Sequence, residues 1–570
     1  MNLLGIYHRR PYMEMRGVCD APYIEKGAHA LASADAASEG GILACAQGRM
    51  RNAAALMREL GIERDRPTAA QLTLAVYRRW GEAYFEHIEG PVTTAVIDRE
   101  NDMLLVSRDR MGECPLFYAA EGGSVAFADH PDLLIESGAA RPVIDADGLN
   151  ELFALGPART PGRTPYRDVH SLEPGCALIA RGEALEFRPY FSLQPAEHGD
   201  GAQETVRRVR EMLERAVDDI VPLKPASMLS GGIDSTALTA LMRRRMQRVD
   251  SFSVDYEGNA EHFRGTSFQP ERDEPYIELA VSRIGTNHLK VVLAQDELIS
   301  SLEAAVDARG FPGMADVDGS LLQFARRIAP RARFIVSGEC GDEVFGGYPW
   351  FRDAASLSAD AFPWSGSMEL RCRILKKRVR DKLRPKAYAR AAVLNAIDRV
   401  EHLPREPAAD KCLRTMQHMC FEFFMANLQE RAASMCAYSH LGALTPFADE
   451  RLVQYVYNAP WEMKFLGGRE KGLLREAVKD ILPEPLVYRK SSPYPRTCSP
   501  EYARMAVDLM REMLADRTNP ILVFVDPDAL EGAFSTDAPW FGQLMAGPQM
   551  LAYLWQVNFW MRSRRVEVSL

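Results

Sequence analysis

The stretch Ala226-Ser227-Met228-Leu229-Ser230-Gly231-Gly232-Ile233-Asp234-Ser235-Thr236-Ala237-Leu238-Thr239-Ala240-Leu241-Met242 decides how this chain is read. Its first four residues suit a buried strand and its last six a helix start, so the glycine pair sits where strand turns into helix. Such a turn is an anion site. Gly231 and Gly232 let the backbone close on phosphate oxygens, Ser230, Ser235 and Thr236 offer hydroxyls, and the helix dipole favours negative charge. Asp234 is placed to hold Mg²⁺ against those phosphates. The chain has no Gly-x-x-x-x-Gly-Lys-Ser/Thr motif, which disfavours γ-phosphate transfer of the Walker type. Taken alone, Ser-Gly-Gly also fits a surface turn; a second loop argues against that.

Phe334-Ile335-Val336 reads as another buried strand and runs into Ser337-Gly338-Glu339-Cys340-Gly341-Asp342-Glu343-Val344-Phe345-Gly346-Gly347-Tyr348. Three acidic residues within five, at the carboxyl end of a strand, stand where an α/β sheet places metal and substrate chemistry. The first loop resembles the PP-loop ATP pyrophosphatases, which cleave ATP between its α and β phosphates. The second is similar to the Ser-Gly-Glu-x-x-Asp-Glu-x-Phe-Gly-Gly-Tyr motif of class B, glutamine-dependent asparagine synthetases. The resemblance implies ATP and Mg²⁺ as cofactors. It places ATP against Ser230, Gly231, Gly232, Asp234, Ser235, Thr236, Ser337 and Gly338, the metal on Asp234 and Asp342, and Glu339 facing an adenylated intermediate. Gly468–Glu476 and Tyr488–Pro495 also look like the C-terminal part of these synthetases, which points to Lys490, and to Lys471, as catalytic cations. A fixed ammonium stabilises the charge that grows on the carbonyl oxygen and the departing AMP.

The N-terminal part has alternating segments at Val92–Ile97 and Met103–Ser107, followed by Arg108-Asp109-Arg110-Met111-Gly112-Glu113-Cys114-Pro115-Leu116-Phe117-Tyr118. This run resembles the signature of N-terminal-nucleophile (Ntn) glutaminase domains and implies an antiparallel β-sandwich flanked by helices. The family's chemistry needs a cysteine exposed by removal of Met1. Here position 2 is Asn2, and the nearest cysteine is Cys19. The family's Asn-Gly-Glu-Ile-Tyr-Asn appears as Gln47-Gly48-Arg49-Met50-Arg51-Asn52, which replaces the oxyanion-hole asparagine by Gln47. The aspartate that would pair the glutamine ammonium is missing from Pro67–Leu72. An inactive glutaminase domain kept as scaffold is therefore expected.

The expected organisation is α/β and α+β: a glutaminase-like domain over 1–195, a polar link near Ser192–Gly201, and a PP-loop parallel-sheet synthetase domain with a helical C-terminal part over 203–570. The 570 residues, 47% hydrophobic, suffice for two or three packed domains. A net charge of −9 argues against a nucleic-acid partner, and no apolar run reaches the length of a membrane span. The ten cysteines contain no Cys-x-x-Cys pair, and Leu3-Leu4-Gly5-Ile6 is too short for a signal segment, so a reduced, cytoplasmic protein is expected. His288 and His440 lack metal-ligand spacing and read as structural. The basic run Arg371–Lys386 reads as a solvated helix face or as a docking surface for an acidic partner.

The function expected from the resemblance is an AMP-forming carbon–nitrogen ligase. It adenylates a small-molecule or peptide carboxylate, most simply aspartate, for attack by ammonia or another amine, with a separate glutaminase or a peptide as possible partner. Loss of the glutaminase also characterises β-lactam synthetases and lasso-peptide macrolactam cyclases, although Glu339 stands where the former are expected to carry tyrosine. The segments Tyr256–Gly258, Thr266–Pro270 and Phe311–Asp318 look instead like a bacterial branch of asparagine synthetases. The family's Val-Glu-x-Arg-x-Pro-Phe-x-Asp reads here Leu441-Gly442-Ala443-Leu444-Thr445-Pro446-Phe447-Ala448-Asp449, either a harmless loss of an ion pair or a pocket reshaped for a less polar substrate. A reading from another class is a decayed, non-catalytic partner protein.

Overall fold

A computed structural model describes residues 3–570 apart from 9, 11, 12, 14–17, 19, 20, 27, 64, 65, 266–268 and 353–360. The readings at Met1, Asn2, Cys19 and Thr266–Phe268 lie outside the described residues. The chain forms two units: Met1–Gly148 with Pro161–Leu193 and Val566–Leu570, and Leu149–Thr160 with Gln194–Arg565.

The first unit contains two six-stranded sheets. In one, the strands Leu3–Tyr7, Tyr23–Lys26, His29–Ser33, Phe117–Glu121, Ser124–Ala128 and His170–Ser171 pair antiparallel; in the other, Ala36–Glu39, Ile42–Gly48, Val92–Asp98, Met103–Ser107, Cys176–Arg181 and Ala184–Pro189 do the same. Period-two alternation sorts their side chains. Leu43, Cys45, Ala95, Ile97 and Leu104 pack with Leu3, Leu31 and Phe127 of the facing sheet. Ala44, Ala46, Val96 and Leu105 point the other way, onto Leu72, Val76 and Tyr77 of the helix Ala69–Trp80. Arg108 and Asp109 shape the turn between Met103–Ser107 and Phe117–Glu121. Arg108 donates to the carbonyls of Gly112, Cys114 and Leu172, and Asp109 accepts from the N–H groups of Met111, Glu113 and Cys114.

The second unit is built on a parallel five-stranded sheet in the order Asn287–Leu293, Asp250–Tyr256, Ala226–Met228, Phe334–Val336, Gly442–Leu444. Two of these are the strands expected from sequence. They lie side by side where the chain order reverses, because the strands after Ala226–Met228 build outward on one side and Phe334–Val336 starts the other. An open parallel sheet receives ligands outside the carboxyl ends of its strands at such a point. Helices make up most of the remainder, including a continuous helical run from Ala408 to Tyr438 whose middle, Cys420–Met425, is a π-helix.

Leu149–Thr160 is tied into this unit by side chains far along the chain. Arg159 Nη2 lies 2.7 Å from Glu430 Oε2, and fully buried Arg371 donates to the carbonyls of Phe153 and Gly156. Burial without an anionic partner pulls the Arg371 guanidinium down to about 10. The run Arg371–Lys386 is therefore not one solvated helix face. Arg371 is a core residue, and the run is divided among the helices Met368–Arg373, Lys377–Leu383 and Pro385–Asp398. His288 is held between Ser251 Oγ (2.9 Å) and Ser253 Oγ (3.0 Å), in keeping with its structural reading.

Candidate active site

Both loops leave the ends of the two adjacent central strands, and their glycines make them interlock. A Cβ on Gly338 would stand 3.0 Å from Asp234 Cβ, one on Gly341 2.5 Å from Asp234 Oδ1, and one on Gly347 1.8 Å from Asp342 Oδ1. No side chain fits at these three places. Gly231 has φ +70° and presses against the backbone of Ile277, a conformation and an approach that favour glycine. The next helix, Ile233–Arg245, opens on Gly232 as N-cap and leaves its first-turn N–H groups directed at the loop. Ser230 Oγ and Ser235 Oγ lie 3.0 Å apart, and Ser235 Oγ also accepts from Ser230 N–H.

One cavity gathers Ser230, Gly232, Asp234, Ser235, Ser337, Gly338, Glu339, Asp342 and Lys490 in its lining. Of the remaining sequence candidates, Gly231, Thr236 and Lys471 do not line it. Gly231 shapes the loop backbone, and Thr236 is fully buried behind it. Lys471 is also fully buried, yet its Nζ stands 2.5 Å from Asp234 Oδ2 and 2.7 Å from Asp342 Oδ1. Its backbone is held at φ +54°, a left-handed conformation that a non-glycine residue adopts at a cost. Burial opposes the ammonium, but the two carboxylates outweigh it and raise the Lys471 pKa.

Asp234 and Asp342 thus face a single cation in this structure. Asp234 Oδ1 is buried with no hydrogen-bond partner, while Ser491 Oγ donates to Asp342 Oδ1 at 3.3 Å. Two carboxylates with a spare buried oxygen, beside serine hydroxyls, form the hard-oxygen donor set that Mg²⁺ takes. These residues fit the metal.

Several site residues carried no sequence signal. Arg431 Nη1 lies 3.1 Å from Glu339 Oε1 and its Nε 3.1 Å from Asp318 Oδ1; Nη2 donates to the Val317 carbonyl at 2.9 Å, and the guanidinium lies 4.5 Å from the Tyr494 ring centre. Asp318 continues to Arg309 (3.3 Å), then Glu430 (2.9 Å), then Arg159. Burial would raise Glu430, but Arg159 and Arg309 outweigh it and draw it down to about 2. Burial raises the Glu339 pKa although Arg431 opposes it. Arg489 donates to the Ser230 carbonyl at 3.2 Å, pairs with Asp273 and lies over the Tyr276 ring, which ties the segment before Lys490 to the phosphate-type loop. Arg489 was within reach of sequence reasoning, as the neighbour of Lys490 in a quoted motif; Arg431, in mid-helix, was not.

Gly442 and Leu444 do not line the cavity, whereas Ala443 between them does. A Cβ on Gly442 would meet the Phe334 ring at 2.5 Å, and Leu444 is buried. The lost family pair is replaced by packing on the face of the strand turned away from the cavity.

In the first unit, Gln47 Nε2 donates to Asp129 Oδ2 at 2.8 Å, and its Oε1 is buried without a partner. Gly48 has φ +114°, and a Cβ there would meet the Pro91 carbonyl at 2.2 Å. Among the described residues no helix is long and apolar enough to cross a membrane.

A switch-point cavity with a glycine–serine anion loop and paired carboxylates defines the class: an ATP-dependent carbon–nitrogen ligase joined to an amidotransferase-type domain. The asparagine synthase family matches residues 208–562, and the glutamine amidotransferase domain family matches residues 38–191. The chain is 36% identical over 537 residues to asparagine synthetase [glutamine-hydrolyzing] 3 of Bacillus subtilis, covering 92% of this chain and 87% of that one. It is 26% identical to a putative asparagine synthetase [glutamine-hydrolyzing] of Mycobacterium tuberculosis, over 74% and 69% of the two chains. It is 25% identical to the amidase chyE of Penicillium rubens, over 82% and 79%. The chain belongs to the asparagine synthase family.

Proposed function

We propose that the second unit adenylates a substrate carboxylate with Mg²⁺-ATP and passes the acyl group to ammonia or another amine that the first unit does not generate. The observation that carries this is the interlocked pair of loops, with Asp234 and Asp342 drawn to one cation beside the Ser230–Ser235 anion loop. Asp234 and Asp342 would hold Mg²⁺, which would supply positive charge for the pyrophosphate that leaves when the substrate carboxylate attacks the α-phosphorus. The first-turn N–H groups after Gly232 and the hydroxyls of Ser230 and Ser235 bind the leaving pyrophosphate. Ser337 and Gly338, which lies against Asp234 and Ser235, hold the nucleotide beside that loop. Lys471 fixes the spacing of the two carboxylates, and Lys490 stabilises charge on the acyl-adenylate as the amine displaces AMP. Glu339, steadied by Arg431, faces the acyl carbon, where an incoming amine must shed a proton.

The internal positions of the first unit support loss of glutamine hydrolysis. Gln47 directs its amide N–H at a carboxylate, Asp129. An oxyanion at that amide would meet repulsion instead of stabilisation. Aspartate with ammonia is the simplest substrate pair on family grounds. A cyclase or β-lactam-forming reaction would use an amine on the substrate itself; a separate glutaminase would be a partner only where ammonia is the nucleophile, and a peptide only in a cyclase reaction.

The test is exchange of labelled pyrophosphate into ATP by the purified chain with Mg²⁺ and a panel of carboxylic acids. Acid-dependent exchange that vanishes in Asp234→Asn is expected. Absence of exchange with every acid would overturn the reading in favour of a non-catalytic partner. With ammonium or glutamine as nitrogen source, AMP release with ammonium alone is expected; turnover with glutamine would refute the loss of the glutaminase.

A further inference from the structure

The end of the first unit remote from Gln47 holds a side-chain cluster that the proposed reaction does not use. Gln47 pairs with Thr93 near one end of the strand Val92–Asp98, and the turn 99–102 leaves the other end. Against that turn lie His8, just past the strand Leu3–Tyr7, and His29, the first residue of the neighbouring strand His29–Ser33. His8 Nε2 stands 2.6 Å from Asp102 Oδ1, and the His8 and His29 rings meet edge-on with their centres 5.1 Å apart. One ring nitrogen of each histidine and one carboxylate oxygen of Asp102 all lie within 4.8 Å of one another.

The two sheets both contribute, the histidines from one and Asp102 from a turn of the other. Buried Tyr7 ties them together. Its hydroxyl donates to the Asp102 carbonyl at 2.6 Å and to Asp102 Oδ1 at 3.1 Å, and accepts from the Gly182 N–H at 3.3 Å. Its ring also stacks on that of His29 at 5.1 Å. His8 and Asp102 have φ +52° and +46°, left-handed conformations that a non-glycine residue adopts at a cost and keeps where its surroundings over-determine them. An ion pair between them alone does not offset that cost, because the side chains are 37% and 54% exposed and such surface pairs contribute little.

Two imidazoles and a carboxylate form the mixed nitrogen and oxygen set that zinc-type ions take, whereas Mg²⁺ and Ca²⁺ take oxygen alone. Three protein ligands leave a fourth position for water. Around a tetrahedral zinc the ligand atoms stand about 3.3 Å apart, so the exposed Asp102 carboxylate would draw back from His8 by about 0.7 Å and the widest pair would close by at most about 1.5 Å. Arg99 is a nearby cation: after burial and His8, its charge is among the causes that lower the His29 pKa, with Asp102 acting the other way.

We propose that His8, His29 and Asp102 bind a divalent transition metal of the zinc type, bridging the two sheets of the first unit. Local spacing could not mark this site, since His29 and Asp102 lie 21 and 94 residues from His8.

The full chain, stripped with a chelator and kept in excess Mg²⁺ to occupy the carboxylates of the second unit, is titrated with Zn²⁺ against a chromophoric chelator and with Co²⁺ by absorption. One Zn²⁺ per chain is expected, with the visible bands of four-coordinate Co²⁺ and no thiolate charge-transfer band. His8→Ala and Asp102→Asn change exposed side chains, and asparagine accepts the left-handed backbone. Each should weaken Zn²⁺ by at least about tenfold, the least that loss of even an outer partner costs a metal site. Absence of Zn²⁺ binding, a loss below about tenfold in either variant, or a thiolate band that places the metal on cysteines would overturn the proposal.

Discussion

Replacing Arg431 by methionine tests the electrostatic core of the site. The guanidinium serves Glu339 and Asp318, each at 3.1 Å. Asp318 keeps Arg309 at 3.3 Å and the Met314 N–H at 2.9 Å, so Glu339 is the carboxylate left without its ion-pair partner. Removing one member of a buried pair costs roughly 3–5 kcal/mol, and the 18% exposure of the Glu339 side chain places the expected loss near the low end, about 3 kcal/mol. Adding Glu339→Gln removes the stranded charge. What remains lost is a few hydrogen bonds and the stacking on Tyr494, together about 1–2 kcal/mol. The double variant should therefore be more stable than Arg431→Met alone. Urea unfolding followed by tryptophan fluorescence reads this in the second unit, which holds every tryptophan except Trp80. With a slope of about 3 kcal/mol per molar, the single variant's midpoint falls by about 1 M, and the double variant recovers roughly half of that. If the two substitutions instead add, or the single variant shifts the midpoint by less than about 0.3 M, Arg431 does not hold Glu339 and the reasoning fails.

Gly347→Ala brings a methyl within 1.8 Å of Asp342 Oδ1 and 2.4 Å of Lys471 Cε; pyrophosphate exchange should fall by at least about a hundredfold, since displacement of about 1 Å at such a centre has that effect. Burial raises Asp316 to about 6, above the 3.8 of an exposed aspartate. Between those values the unfolded chain releases a proton that the folded chain keeps, so stability declines as pH rises through that window and levels off above it. Asp316→Asn should accordingly gain up to about 3 kcal/mol over the parent at pH 7 and nothing below pH 4, read as the difference in melting temperature with pH. Gln47→Asn should release no glutamate from glutamine, as the parent should not; measurable release from either would show that the first unit retains its chemistry.

The two loops were legible because phosphate and metal chemistry needs backbone N–H groups, small residues and carboxylates at fixed spacing. The structure adds the reason for the second loop's glycines, since Gly338, Gly341 and Gly347 lie against the carboxylates of Asp234 and Asp342. That Ala226–Met228 and Phe334–Val336 are strands was legible in the same way, whereas their adjacency in the sheet comes from the fold. The sequence also marked Lys471, but only the fold shows it buried between two carboxylates. Arg431 and Glu430 were out of reach, because their partners Glu339 and Arg159 lie 92 and 271 residues away. The membership of Leu149–Thr160 in the second unit depends on Arg371 and Glu430 in the same long-range way, and no local pattern carries it.

That difference in legibility has a chemical basis. Pyrophosphate is the same in every adenylation, so the residues that hold it keep one pattern, and two short motifs suffice to find them. The acid is not fixed by that chemistry, so the side chains around it need not keep one pattern. The run Phe421-Glu422-Phe423-Phe424-Met425 reads in sequence as ordinary helical core, and only the π-turn reveals that Phe424 is aimed at the cavity. Family membership therefore constrains the reaction more tightly than the acid.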